Sequence, residues 1–207
     1  MPHVTLRRLP LELDLAAPLP PALCRFLDAG MELTRDFIDS RGSDPIPAFV
    51  PSDYHIVLQA LIQLERRGLA HGSFCEWGCG LGIIAGAASL IGFDACGIEI
   101  DPDLVGAGRM FLDRHEIDIP IVRGSLVPEG FEHDEESTEI GFVTVMDGRS
   151  AYDELGLEPD DFDLIFAYPW PGEEGLIRRV FDRSAARGAL LLCYAGEDGV
   201  DLFRKIR

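Results

Sequence analysis

Three glycines at alternate positions, Gly78, Gly80 and Gly82, constrain this 207-residue chain more than any other feature. A short apolar run carrying Glu76 precedes them, and an apolar segment with helical character, Ile83 to Ile91, follows. A second strand-like run then ends at Glu99. Glycine adopts left-handed backbone angles at no steric cost, so a strand can turn sharply there into a helix. Strand, glycine turn, helix, strand, acid is the layout of a parallel α/β unit. Its turn approaches an adenosine-containing cofactor closely.

The rest of the chain continues the alternation. Strands are expected over 73–77, 94–100, 118–123, 162–167 and 189–195, and helices over 83–91, 102–115, 150–155 and 173–186. Asp101 followed by Pro102 is a strong helix start. Ahead of this core, 22–40 and 53–67 read as helices, the second capped by Ser52 and stopped by Gly68. Residues 1–21 read as an extended arm lying on the body. The pattern predicts an α/β fold, a doubly wound and mostly parallel sheet with right-handed crossovers and N-terminal helices. Residues 1–69 form the arm and helices packed on the core, and 70–207 form the α/β domain, in one compact unit.

Only twelve residues follow position 195, and they read as a short helical tail. The sheet is therefore expected to stop at its fifth strand and expose an edge. The N-terminal arm, a strand-like piece at 142–146 or a second copy in a homodimer would cover it. Residues 132–139 read as a solvated acidic loop.

Charge narrows the partners. Thirty-six acidic residues against 18 basic give a net charge of −18, and the basic pairs are scattered. Such a surface repels phosphate backbones, so a nucleic-acid partner is not expected. No apolar run reaches the roughly 20 residues of a membrane span. Residues 1–19 lack the apolar stretch of a signal peptide, and a cytoplasmic location is expected. Five cysteines, an odd number lying largely in strand-like runs, suit reduced buried thiols, and no zinc or other metal site is expected.

A dinucleotide turn wants a third glycine where this chain has Ile83, which disfavours a nicotinamide cofactor. The pattern Glu76-x-Gly78-x-Gly80-x-Gly82 resembles instead motif I of the class I S-adenosylmethionine (SAM) dependent methyltransferases. The resemblance covers about residues 70–195. It implies a Rossmann-like sheet of order 3-2-1-4-5, here lacking the family's last two strands, with SAM as cofactor. It places Glu76 near the methionine part of SAM and Glu99 on the ribose hydroxyls. A polar residue is to meet the adenine; Asp147 is preferred, with Ser125 as the other choice. The Val50-Pro51 entrance and the Gly97-Ile98-Glu99 segment are also similar to small lysine methyltransferases that act on membrane-protein subunits.

The reacting end follows the fourth strand. Ala167-Tyr168-Pro169-Trp170 resembles a variant of the (Asp/Asn/Ser)-Pro-Pro-aromatic motif of amino-methyltransferases, with the polar first residue replaced. Two readings stand. Tyr168 and Trp170 form an aromatic wall for a cationic or flat group, and Glu173 or Glu174 attracts or deprotonates an amine. Alternatively the segment is a rigid turn opening a helix, with the glutamates favouring its N-terminal dipole. The expected function is methyl transfer to a nitrogen or oxygen of a small molecule or a protein side chain. The alternative is a non-catalytic SAM-binding sensor or partner protein, which the missing polar residue and the short sheet favour.

Overall fold

The computed structural model describes residues 5–42, 49–70, 72–131, 144 and 149–207. In chain order the elements are β1 (Leu6–Leu9), α1 (Pro21–Arg41), α2 (Tyr54–Arg66), β2 (Ser73–Trp77), α3 (Ile83–Ile91), β3 (Asp94–Glu99), α4 (Pro102–Arg114), β4 (Ile121–Arg123), α5 (Tyr152–Leu155), β5 (Leu164–Ala167), α6 (Glu174–Ser184), β6 (Leu190–Tyr194) and β7 (Val200–Lys205).

One seven-stranded sheet runs in the order β1-β7-β6-β5-β2-β3-β4. Its five parallel strands, β2 to β6 in chain order, lie as 3-2-1-4-5. Successive strand residues point to opposite faces. Phe74, Phe166, Leu190 and Leu192 join α1, α2, α3 and α4 in one core cluster. Cys75, Trp77, Ile98, Ile165 and Leu191 pack with Tyr152 and α6 in the other. Gly108 of α4 sits so close to the glycine turn that an added Cβ would stand 2.9 Å from the Leu81 carbonyl oxygen.

The sheet does not stop at its fifth strand. The tail read as helical is β7, antiparallel to β6, and the N-terminal arm supplies β1, antiparallel to β7. Twelve residues are too few for two strands, so each chain end contributes one. A tight turn over Gly196–Asp198, with Gly196 and Gly199 at positive φ, reverses the chain. Leu202 and Phe203 then bury on opposite faces, as a strand with neighbours on both sides requires. Of the three covers expected for the sheet edge, the N-terminal arm is the one seen, as β1 on β7. The outer strand β1 carries exposed Arg7 and Arg8, which discourage further pairing.

The arm does lie on the body. Gln59 and Gln63 of α2 donate to the Ala17 and Glu12 carbonyls. The cap of α2 is Asp53, not Ser52; Asp53 Oδ1 accepts the N–H groups of His55 and Ile56. β4 is shorter than expected, beginning at Ile121. The acidic segment 132–139 and, Thr144 apart, the strand-like piece at 142–146 lie outside the described residues. No helix among the described residues is long and apolar enough to cross a membrane.

Candidate functional site

A cleft of about 400 Å³ opens at the carboxyl ends of β2, β3 and β5. Chain connections leave β2 and β5 in opposite directions there, and such switch points are where open α/β sheets hold ligands.

The glycine turn forms its floor. Gly78, Gly80 and Gly82 have φ of +71°, +54° and +68°, so all three use the left-handed region. A Cβ on Gly78 would meet nothing within 4 Å, leaving its surroundings open. One on Gly80 would stand 2.8 Å from the Phe49 ring. The N–H groups of Gly78 and Cys79 both donate to the Ile98 carbonyl at 2.9 Å, which locks the turn to β3.

Glu76 ends in the cleft wall almost fully buried. Its Oε2 accepts the Ala85 N–H at 2.8 Å. Gly82, the residue before α3, has no side chain with which to cap, so Glu76 caps that helix from the neighbouring strand. Burial pushes the Glu76 carboxyl well above the usual range; the Ala85 bond opposes this and Glu99 adds to it.

Glu99, at the end of β3, is also buried. Its Oε2 accepts the Gly80 N–H at 2.8 Å, and its Oε1 accepts Ile100 and Asp101 N–H at 2.7 and 2.9 Å. Burial raises its pKa too, and the three amides pull the other way. A carboxylate offers about four acceptor positions, so Glu99 keeps about one beyond those amides. Asp101, as expected from sequence, caps α4.

Among the described residues neither buried carboxylate has a cationic partner. Among the described residues no lysine, arginine or histidine lines the cleft, and the ion pairs lie elsewhere on the surface. Two buried acids without a counter-ion make the cleft receptive to a cation.

Ser125 lines the cleft, buried, its Oγ accepting the Val127 N–H. Asp147 lies outside the described residues. Tyr168, Pro169 and Trp170 line the end of the cleft beyond β5. Tyr168 is 37% exposed and meets Tyr194 edge to face, ring centroids 4.8 Å apart.

Glu173 is not brought to this wall. It is buried at the start of α6, does not line the cleft, and accepts the Thr144 hydroxyl at 2.5 Å and the Thr144 N–H at 3.3 Å. Thr144 itself lines the cleft. The structure thus sets Glu173 against Thr144 and not on the cleft wall, where the sequence reading placed it to meet an amine.

Phe49, Tyr54 and Thr144 also line the cleft, and Tyr194 packs behind Tyr168. Tyr54 was visible as an aromatic at a helix entrance. Its hydroxyl lies 3.1 Å from Thr34 Oγ1, which donates to the Gly30 carbonyl, so Tyr54 is the donor. Burial pushes its pKa up to about 12.

No family model matches the chain, and no curated protein matches it. Solved structures do. A methyltransferase from Geobacter sulfurreducens is 14% identical over 92% of both chains, with a TM-score of 0.51. An SAH-bound methyltransferase from Podospora anserina is 16% identical over 89% of this chain and 71% of its own, TM-score 0.49. An RNA methyltransferase from Salinibacter ruber in complex with S-adenosyl-L-homocysteine is 16% identical over 75% and 92%, TM-score 0.48. Of two further structures the chain spans 60% and 53%. At these identities the likeness concerns fold, and the first pair shows that the α/β fold here is one that a methyltransferase uses.

Proposed function

We propose that the chain is a SAM-dependent methyltransferase of the class I kind, transferring methyl to a nitrogen or oxygen of a small molecule or a protein side chain. The observation that carries the reading is the pair of buried carboxylates, Glu76 and Glu99, flanking a left-handed glycine turn in a cleft that no lysine, arginine or histidine lines among the described residues. The cavity is of the size that small-molecule sites use.

The residues fit the group. SAM carries a sulfonium and an ammonium, which suit a cleft with two uncompensated acids. Glu76 faces the part where the ammonium would lie. Glu99 has one acceptor position in hand for a ribose hydroxyl beyond the three amides it accepts. Ser125 and Asp147 remain the two candidates for the adenine. SAM, when bound, supplies a methyl group on sulfur; the acceptor's lone pair forms the new bond as the sulfur–carbon electron pair stays on sulfur. Such a displacement needs in-line positioning more than acid–base groups, and the Tyr168 and Trp170 wall supplies a surface to orient the acceptor.

The sensor reading loses one of its two supports, because the sheet has seven strands. The other remains: Ala167 stands where the resembling motif has a polar side chain. Calorimetry with SAM and S-adenosylhomocysteine tests the cofactor. Dissociation constants of roughly micromolar order are expected, and no binding of either would overturn the proposal. Binding without methyl transfer to any amine, hydroxyl or lysine peptide would leave the sensor.

A further inference from the structure

The wall beyond β5 stands on the same side of the sheet as Glu76. Glu76 and Phe166 are partners in register across β2 and β5, so both side chains face that side, and both line the cleft. Tyr168 stands two positions beyond Phe166, and its ring meets that of Tyr194 one position past the Ala167–Cys193 pair. Pro169, buried, and Trp170, half-buried, continue the wall. The segment before α2 adds Phe49 and the 50% exposed Val50 to the lining. Among the described residues, the carboxylates of the lining are Glu76 in β2, Glu99 at the end of β3 and Asp101 at the start of α4. The wall that follows β5 is thus aromatic and apolar, and the acids belong to the other end.

A methyl acceptor must bring a lone pair to this wall. A protonated amine has none until it loses a proton, and an anion is repelled by the acids. A pyridine-type nitrogen is uncharged near neutral pH and holds its lone pair in the plane of its ring. Such a ring, laid face-on to Tyr168 or Trp170, directs the lone pair along the wall and not into it. Flat apolar surface is also what aromatic side chains cover best. Once the nitrogen takes a methyl group its ring is a cation, and aromatic faces attract a cation more strongly than a neutral ring. The wall therefore holds the charge that develops in the transition state more tightly than it holds the substrate.

We propose that the Tyr168–Trp170 wall takes a flat, uncharged heteroaromatic ring and presents its pyridine-type nitrogen for methylation. The inference rests on the methyltransferase reading and names its acceptor class. The nitrogen lone pair forms the new nitrogen–carbon bond, and the sulfur–carbon pair stays on sulfur. No proton leaves the acceptor, so no base is required, and the positive charge passes from sulfur to the ring. Ala167 agrees with this: it lines the cleft, buried, and an apolar side chain suffices where the acceptor has no hydrogen to donate.

Calorimetry tests the proposal without turnover. The probes are quinoline, its methylated cation N-methylquinolinium, the anion 2-naphthoate, and protonated decahydroquinoline, which keeps a positive charge but is not flat. Each is titrated with S-adenosylhomocysteine in excess. N-methylquinolinium is expected to bind roughly fivefold more tightly than quinoline. Quinoline is expected to bind at least roughly tenfold more tightly than 2-naphthoate. Decahydroquinoline is expected to bind at least roughly fivefold more weakly than N-methylquinolinium. Tyr168→Leu, at a 37% exposed position, is expected to weaken N-methylquinolinium roughly fivefold, and Tyr168→Phe less than about twofold, while S-adenosylhomocysteine binds as before. The proposal is overturned if 2-naphthoate or decahydroquinoline binds as tightly as N-methylquinolinium, if neither flat ring binds, or if Tyr168→Leu changes nothing. Failure of S-adenosylhomocysteine to bind the unaltered protein, with the ring preference intact, would instead overturn the cofactor reading.

Discussion

At the β2–β3 end of the cleft, Glu76 and Glu99 are each less than a tenth exposed, and their oxygens are held by four backbone N–H groups. At the β5–β6 end, Tyr168 is 37% exposed and meets Tyr194 edge to face, and Thr144 donates to Glu173. One end is set before any ligand arrives, and the other is a surface awaiting one. A preformed end fixes a common ligand with high definition; an open end leaves the acceptor to be chosen by charge and shape. The contrast breaks if substitutions at the β5–β6 end disturb cofactor binding as much as those at the β2–β3 end.

The largest effect is expected at Gly80. Alanine there meets both a φ of +54° and the Phe49 ring at 2.8 Å. Left-handed backbone alone costs about 1–2 kcal/mol for a residue with a Cβ, and displacing Phe49 opens the cleft wall. Gly80→Ala should weaken S-adenosylhomocysteine binding by more than roughly 100-fold. Calorimetry checks it; a change of less than about fivefold would show that the turn is not preformed for this ligand.

Glu99→Gln comes next. Both carboxylate oxygens accept N–H groups, so the glutamine NH2 must face a donor whichever way it turns. A buried donor left unmatched costs about 1–3 kcal/mol. The expected result is S-adenosylhomocysteine binding weaker by roughly 10-fold to 100-fold, read by calorimetry.

The β2–β3 end was legible in the sequence because its requirements are local. Left-handed turns need glycine, a helix start needs an acceptor, and a buried strand end bearing an acid announces itself, so Gly78, Gly80, Gly82, Glu76 and Glu99 could be assigned by spacing. The β5–β6 end depends on contacts between segments apart in the chain: Tyr168 with Tyr194, and Thr144 with Glu173. No periodicity records such pairs. The same holds for the sheet. Its five parallel strands follow from alternation, but β7 needs the turn that folds it back on β6, and β1 needs the N-terminal arm to reach β7 at the other end of the chain. Leu202 and Phe203 are adjacent and both buried, a pattern that helix and strand share in so short a tail.

The buried acids also set a pH dependence. Glu76 and Glu99 have folded-state pKa values raised above the ordinary carboxylate range, so the folded protein holds protons that the unfolded chain gives up. Their contribution to stability is present at and below the ordinary range and is lost as pH rises above it, at a slope of up to about 1.4 kcal/mol per pH unit for each proton. A cationic ligand favours the ionised form, so its binding should strengthen as pH rises and release protons. Thermal unfolding of the ligand-free protein between about pH 5 and pH 8 checks the first. Calorimetry in buffers of different ionisation enthalpy checks the second. Glu76→Gln should flatten both slopes. An unaltered slope would mean that these carboxyls are already ionised in the folded protein at the acid end of that range.

The smallest effect on ligand binding is expected at Glu173, and it separates the two ends most directly. If its carboxylate met the acceptor, Glu173→Gln would lower kcat/KM by roughly 100-fold or more, as loss of a general base does. Its partner is instead Thr144, whose hydroxyl and N–H both donate to it. Glutamine retains one acceptor oxygen for the hydroxyl, so the substitution should cost about 1–2 kcal/mol of stability and change cofactor affinity less than about threefold. A denaturation midpoint that falls while both dissociation constants hold would make Glu173 a positioning residue. An unchanged midpoint with lost turnover would return it to the reacting end, and the open wall would then include a carboxylate that this structure keeps turned away.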